Sequence, residues 1–560
     1  MTIGGVEEFD GLEARWRLSH VTWSLVWLGI VGAGLTMWSS WTSVSWAALM
    51  SPLVVLGGLA GLAVLWSHRG YPSRRFEDVT MVVAGLAAAL GQGVQIAAEH
   101  WYSTDAAAFN QIAARALVHA HNPYTTSMQS ASGLFAGATH YWTYTLTGGH
   151  VVAYSYPAGS LWLQAPISWL HMSTDWLDLA AWLATGIILY FALPRSLRFV
   201  AGVLLLNGIF LTRLGNGGTD AVFMPFLVLA AWRWDRFSDV TLSRFGRYLG
   251  PVALGLACSI KQSPWFCVPF FVAGVAIEAH ERGMSWRKTG ARYAGVIAFV
   301  FGVLNAPFII MDAAAWWHGT LLPILAPLVP DGSGLVSLAL HGVVRGASVH
   351  LLWLAGIGAW ASLVVGYGLW YKRLKASWMF FVPIVLFIPG RSLSSYLVDF
   401  FPAALVGAVS VSRVQRVHLT NLAQRWRIAV VALPIVVTLG LAAAAMTSPV
   451  LDVSLIGWTT GAQRTDVGSV LVTLTNTTDA RVVAHCEVVS GNTHTIGFWV
   501  NKQGSNAITL GAHHSVTLRL YPTVVAAAPS PGQLLLVEAM TTKPAAVSTS
   551  APVRWQVLGS

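Results

Sequence analysis

The sequence predicts an all-α polytopic membrane protein of about 13 transmembrane helices with a C-terminal extracytoplasmic β-sandwich. Three observations predict it. Of 560 residues, 55% are hydrophobic and only 10% are charged, where a soluble protein carries roughly 25% charged residues. Apolar runs of about 17–22 residues recur from Val21 to Met446, each long enough to cross a hydrocarbon core of about 30 Å as a helix. Past Met446 these runs stop and β-branched alternation begins.

The first stretch, Met1–His20, holds Glu7, Glu8, Asp10, Glu13, Arg15 and Arg17 and lacks the order of a cleaved signal, so the first helix is expected to be an uncleaved anchor. Spans are expected at 22–42, 46–66, 78–97, 174–193, 198–214, 218–234, 247–260, 264–280, 293–311, 350–371, 377–390, 396–412 and 428–446. The formal net charge is +10, but most Lys and Arg sit in short loops, such as Arg69/Arg74/Arg75 and Arg282/Arg287/Lys288/Arg292. By the positive-inside rule these loops and the N-terminus are cytoplasmic and the C-terminus is outside. The charge thus sets orientation and implies no nucleic-acid partner. Two further apolar segments, 158–171 and 333–345, are shorter; if the first crossed, the next three basic loops would all be external, so the positive-inside rule makes it a juxtamembrane or re-entrant helix.

This topology leaves 98–173 outside as one long loop, a usual carrier of function. Within it, "HWYSTDAAAFNQIAARALVHAHNPY" (His100–Tyr124) places Asp105 at the start of a helix. Phe109, Ile112, Ala113, Ala116 and Leu117 give that helix an apolar stripe able to lie on a membrane surface, and Asn122-Pro123 ends it. Asp105 alone could be only a helix cap. The basic residues left on the outer side of the membrane portion are Arg115, Arg213, Lys261, Arg345 and Arg391. Such cations need partners, either a lipid phosphate or carboxylates such as Glu99, Asp220 and Asp399.

His100, His119, His121, His140 and His150 cluster in or beside this loop without a zinc-site spacing. No cofactor is expected, and a divalent metal stays open. Cys258, Cys267 and Cys486 read as ordinary apolar residues with no disulfide framework or metal spacing. Segments such as "SVLVTLTNTT", "ARVVAHCEVVSG", "SVTLRLYP" and "QLLLVEAM" read as short strands of one domain over 447–560, set apart from a membrane domain over 1–446. Asn476-Thr477-Thr478 matches a glycosylation sequon, a frequent chance occurrence, and His513-His514 read as loop residues.

The order of motifs resembles the GT-C superfamily of glycosyltransferases, and most of all the polyprenyl-phosphate-mannose users of glycosyltransferase family 87. A helix, an Asp, and an amphipathic helix closing on "NPY" stand at 78–124. "SYPAGSLWLQAPISWL", "RLGNGGTDAVFMPFLVLAAW", "SIKQSPWFCVPFF" and "PGRSLSSYLVDFFPAAL" follow in the family's order, over about 78–411. Ala106 stands where many members have a second acidic residue, Ala158 replaces a proline, and the β-rich tail lies outside the resemblance.

The resemblance implies inverting transfer of a sugar, mannose by preference, from a polyprenyl-phosphate donor to a lipid, glycan or protein acceptor on the outer face of the cell membrane. Asp105 would be the general base, Arg391 the leading phosphate ligand, with Lys261, Arg213 and Tyr396 beside it. Tyr124, Tyr156, Asn216 and Gln262 would contact substrate. Membrane lipid is the remaining implied partner. The main rival is a transporter or flippase that transfers no sugar, which predicts paired halves with broken helices. A lipid-linked polysaccharide ligase or polymerase and a non-catalytic membrane scaffold are further alternatives.

Overall fold

The computed structural model describes residues 4–39, 46–67, 70–98, 102, 104–135, 142–208, 210–211, 219–411, 421–447, 449–461, 467–490, 493–494, 497–523 and 532–555. The chain is mostly helical up to Met446 and β-rich beyond it. Among the described residues, six helices are long and apolar enough to cross a membrane: Trp16–Met37, Ala47–Ser67, Arg74–Ala98, Asp175–Ala192, Trp286–Met311 and Val349–Leu369. They coincide with the spans expected at 22–42, 46–66, 78–97, 174–193, 293–311 and 350–371.

The span expected at 428–446 falls within the helix Asn421–Met446. The remaining expected spans coincide with shorter or interrupted helices, of which Asp220–Ala231, Trp378–Phe387 and Ser394–Ser410 are apolar but short. Proline explains most of the breaks. Pro225, Pro269, Pro383 and Pro402 each stand in the first turn of a helix. There the missing N–H is harmless, whereas inside a helix it would cost a hydrogen bond. Hydropathy counts apolar residues and passes over such interruptions. Phe199–Leu205 covers only the first part of the span expected at 198–214, and residues 212–218 lie outside the described residues.

The loop at 98–173 is built of compact pieces. Helix Asp105–Val118 packs against helix Gly159–Trp169 and buries more than its apolar stripe, because Asn110 and Gln111 are buried as well. Gln111 Oε1 accepts from the Tyr102 hydroxyl at 2.9 Å and from Thr174 N–H at 3.0 Å, while Asn110 Oδ1 accepts from the Tyr154 hydroxyl at 3.0 Å. The helix therefore sits inside protein on its polar side too. It ends at Val118 with His119 as C-cap, before Asn122-Pro123, and Asn122 Oδ1 instead accepts from Tyr124 N–H at 3.0 Å. The apolar segment 158–171 forms helix Gly159–Trp169, about 16 Å long and roughly half a bilayer core. Segment 333–345 supplies only the single turn Ser337–Leu340.

Twelve strands follow in chain order: β1 (Asp331–Gly332), β2 (Gly346–Ser348), β3 (Arg391–Ser392), β4 (Leu451–Thr460), β5 (Val467–Asn476), β6 (Val482–Ser490), β7 (Thr493–His494), β8 (Ile508–Leu510), β9 (Ser515–Leu520), β10 (Leu534–Thr542), β11 (Ala545–Thr549) and β12 (Val553–Arg554). One sheet runs β4-β5-β9, and a larger one runs β2-β11-β10-β6-β7, with β12 on β10 and β8 on β6. The two sheets share one buried cluster, including Val470, Val472 and Leu474 with Cys486, Val488, Val537 and Ala539. Asn476 of the sequon is buried, and its amide donates to the carbonyls of Ala480 and Gly511 at 2.7 and 2.8 Å. That amide is occupied by the fold.

The β-rich region is joined to the helical part through β2, a segment of the helical part that pairs antiparallel with β11. The larger sheet's second face packs on Leu146, Val329, Val336 and Phe498 through Met540 and Val547. Thr542 Oγ1 donates to the Leu146 carbonyl at 2.6 Å, and Thr549 Oγ1 to the Ala339 carbonyl at 2.9 Å. A boundary at 446/447 thus cuts the sequence but not the sheet.

Strands β1 and β3 pair in parallel, Asp331 opposite Arg391. Gly332 has φ +108°, and a Cβ there would run into the Ser392 carbonyl. Gly332→Ala is expected to lower the unfolding free energy by about 2 kcal/mol, measured by denaturant unfolding of the detergent-solubilised chain; an unchanged midpoint would show that this pairing bears no strain-sensitive contact.

Candidate active site

A cavity of about 830 Å³ opens between the start of helix Asp105–Val118, segment 142–156, the turn at 261–263, strands β1 and β3, and the larger sheet. Asp105, Tyr156, Lys261, Gln262, Arg391 and Tyr396 all line it. Its size suits a small-molecule site, which typically has about 300–1,000 Å³.

The capping role open to Asp105 belongs to its neighbour. Thr104 has extended φ/ψ and its hydroxyl accepts from Ala107 N–H at 3.4 Å. Asp105 is the first helical residue, where the helix dipole favours an anion. Its Oδ2 accepts from Thr143 N–H at 2.7 Å, which fixes the carboxylate across the loop. Burial pushes the Asp105 carboxyl above its ordinary value, while the Thr143 hydrogen bonds and the Arg391 charge pull it partly back.

Lys261 stands at the end of helix Arg244–Ile260, held extended where "KQSP" breaks the chain before Pro264. It is placed there by a close approach: Gly159 starts its helix against Ser259, and a Cβ at Gly159 would lie 2.5 Å from the Ser259 carbonyl oxygen. The Lys261 ammonium pairs with Asp220 and lies 5.6 Å from the ring centroids of both Tyr156 and Tyr396. Asp220, one of the alternative partners foreseen for the outer cations, is thus realised, and part of the Lys261 charge is already met.

Arg391 is held differently. Its guanidinium reaches Asp331 at 3.9 Å, a long pair with a half-exposed carboxylate. Of the two cations, Arg391 keeps more of its charge for a ligand. Tyr396, in the short helix Ser394–Val398, completes this wall. Burial, and after it the Asp105 charge, pushes the Tyr156 phenol well above its ordinary value, so that its hydroxyl stays protonated as a donor.

Two expected substrate contacts have other work. Tyr124 is not on the cavity wall; it is buried against Tyr154 and Phe308, and its hydroxyl donates to the Tyr156 carbonyl at 2.7 Å. Gln262 does line the cavity, but its Nε2 donates to the carbonyls of Ser155 and Thr320, both at 2.8 Å, which ties the Tyr156 segment to helix Ala313–Leu325. Both residues therefore position Tyr156. Arg213 and Asn216 lie outside the described residues. Arg115 is exposed, and Arg345 makes a solvent-exposed pair with Asp452 at 3.5 Å.

Of the histidines, His150 lies with its ring tilted 36° to that of Trp142, centroids 4.4 Å apart, and its Nε2 is 3.1 Å from Gln129 Oε1. His119 and His121 are exposed, and His100 and His140 lie outside the described residues. Among the described residues no three His, Cys, Asp or Glu side chains are grouped as a metal site. Cys258, Cys267 and Cys486 are buried free thiols.

Several residues of the site were not foreseen: Thr143, Asp331, Glu487 and Gly497. The Pro330-Asp331-Gly332 turn signal could have marked the first carboxylate. Thr143 meets Asp105 through both its backbone N–H and its side chain, across a loop separation that no local pattern reveals. Glu487 and Gly497 come from the β-rich region and reach the cavity only through the docking of the larger sheet.

Chemically, the cavity brings Asp105, with one oxygen fixed by Thr143, together with two cations, Lys261 and Arg391, two phenols, Tyr156 and Tyr396, and the further carboxylates Asp220, Asp331 and Glu487. It can accept a proton at Asp105 and meet an anion at Arg391. Compared with protein-family models, with curated proteins and with solved structures, the chain matches none.

Proposed function

We propose that the protein is a membrane glycosyltransferase of GT-C type that moves a sugar, mannose in the preferred reading, from a polyprenyl phosphate to an acceptor hydroxyl at the outer membrane face. The observation that carries this is that Asp105 and Arg391 line one cavity and interact electrostatically, in a chain rich in membrane-length helices. The order of motifs from Asp105 to Arg391 supports it, and the proposal includes the thirteen-span, sandwich-tailed arrangement and cytoplasmic N-terminus expected from hydropathy and loop charge.

In this reaction the acceptor oxygen forms a bond to the anomeric carbon from one side while the bond to the phosphate oxygen breaks on the other, inverting the centre. The acceptor proton passes to Asp105. Its carboxylate is held by Thr143 and has a pKa raised by burial, which brings it nearer that of a useful base. The departing phosphate keeps the electron pair, and Arg391 meets its charge with a planar fork suited to phosphate oxygens. Lys261, already paired with Asp220, adds a weaker second charge. Tyr156 and Tyr396 flank Lys261 and offer hydroxyl groups and ring faces to the sugar.

Asp105→Asn keeps the size and loses the base. Transfer of labelled sugar from polyprenyl-phosphate-mannose in membranes is expected to fall by about 10²–10⁴-fold with the protein folded and present; transfer near the wild-type rate would sink the assignment. Arg391→Gln removes a charge that lowers the Asp105 pKa. The carboxyl then titrates at higher pH, so the acidic limb of the rate profile is expected to move to higher pH while use of the donor weakens. A limb that stays in place or moves the other way would separate Arg391 from the base.

A further inference from the structure

Strand β6 alternates its side chains between two buried faces. Cys486 and Val488 enter the core shared by the two sheets. Glu487 points to the opposite side and lines the cavity, although it is only 7% exposed. Its Cα partner across the sheet is Glu538 of β10, also buried and on the same face. Among the described residues no hydrogen bond to the Glu487 carboxyl group is found, and its electrostatic neighbours include Asp331, Glu538 and Tyr144. A buried carboxyl group with no donor is destabilising, so a fold that keeps one on a cavity wall gains nothing from it in stability.

From this we infer that the larger sheet supplies an acceptor subsite, in which Glu487 takes hydrogen bonds from the hydroxyl groups of a neutral saccharide. The chemistry is complementary on each side. Arg391 and Lys261 suit a phosphate, whereas Glu487, which lines the cavity from the larger sheet, suits hydroxyl donors. Space is kept at the same wall by Gly497, where φ is +85° and a Cβ would stand 2.8 Å from the Tyr144 hydroxyl. Tyr144 itself lines the cavity and offers a ring to a sugar face. The term acceptor rests on the transfer reading above; the saccharide subsite itself does not.

The test uses the full chain in lipid nanodiscs, as wild type, Glu487→Ala and Glu487→Gln. Saturation-transfer NMR titrations follow methyl and octyl α-D-mannosides and β-D-glucosides, with decaprenyl phosphate titrated separately. The wild type is expected to bind at least one glycoside. Glu487→Ala should weaken that binding tenfold or more, Glu487→Gln should restore part of it, and decaprenyl phosphate affinity should stay within twofold in both. The thermal midpoint of Glu487→Ala should not fall, since a structural carboxylate would lower it and a ligand-binding one would not. Binding of octyl but not methyl glycosides would name a glycolipid acceptor, and binding of both a free glycan end. A wild type that binds no glycoside, an alanine variant that binds as well as wild type, or one that loses stability and both ligands together would overturn the inference. Glycoside binding through Glu487 in a protein that moves no sugar from any lipid donor would keep the subsite and end the transfer reading.

Discussion

A charge removed from water in so apolar a chain must be met by another charge or by hydrogen bonds, and the arrangement of the cavity follows from that requirement. Lys261 is met by Asp220 and two tyrosine rings, Arg391 by Asp331, and Asp105 by the Thr143 backbone. Each of these partners comes from a distant part of the sequence, so each pairing also fixes how segments pack. Asn305, fully buried, shows the same logic without charge: its Oδ1 accepts from Ala158 N–H and from the Trp316 indole, both at 2.9 Å. It thereby ties the turn before helix Gly159–Trp169 to helices Trp286–Met311 and Ala313–Leu325. Loosening any one of these ties would move a member of the charged group.

The degree to which the ligand-facing groups are committed differs, and that difference orders their roles. Lys261 is enclosed and paired, so it serves first to hold Tyr156, Tyr396 and Asp220 together. Arg391 sits on a two-residue strand with a distant partner, so more of its charge is open to a ligand. Asp105 has one oxygen fixed by the loop and a carboxyl group displaced upward by burial. Residues that meet an incoming substrate are thus those whose own partners are weak or few, as function at some cost in stability requires.

Much of this site was legible in residue types and order. Asp105 stood out as a lone carboxylate at a helix start, and Lys261 and Arg391 as outer cations, but it was the resemblance in motif order that singled out Asp105 as a base and drew in Tyr156 and Tyr396. The structure gathers these five around one cavity. Tyr124 and Gln262 were legible as special but not as positioning residues, since whether a polar group faces a ligand or a carbonyl depends on packing. The breaks at Pro225, Pro269, Pro383 and Pro402 were visible as letters, yet apolar runs outweighed them. Least legible was the part of the β-rich region in the cavity. Strand β6 is apolar on both faces around His485 and Glu487, a pattern that shows a covered sheet but not what covers it.

The most direct test is a structure of the full chain in nanodiscs with decaprenyl phosphate bound. Phosphate density within hydrogen-bonding distance of the Arg391 guanidinium, in the cavity that Asp105 lines, is the expected result. A lipid phosphate seated instead among the basic loop residues Arg282, Arg287 and Lys288, with the Asp105 cavity empty, would contradict the assignment of the site.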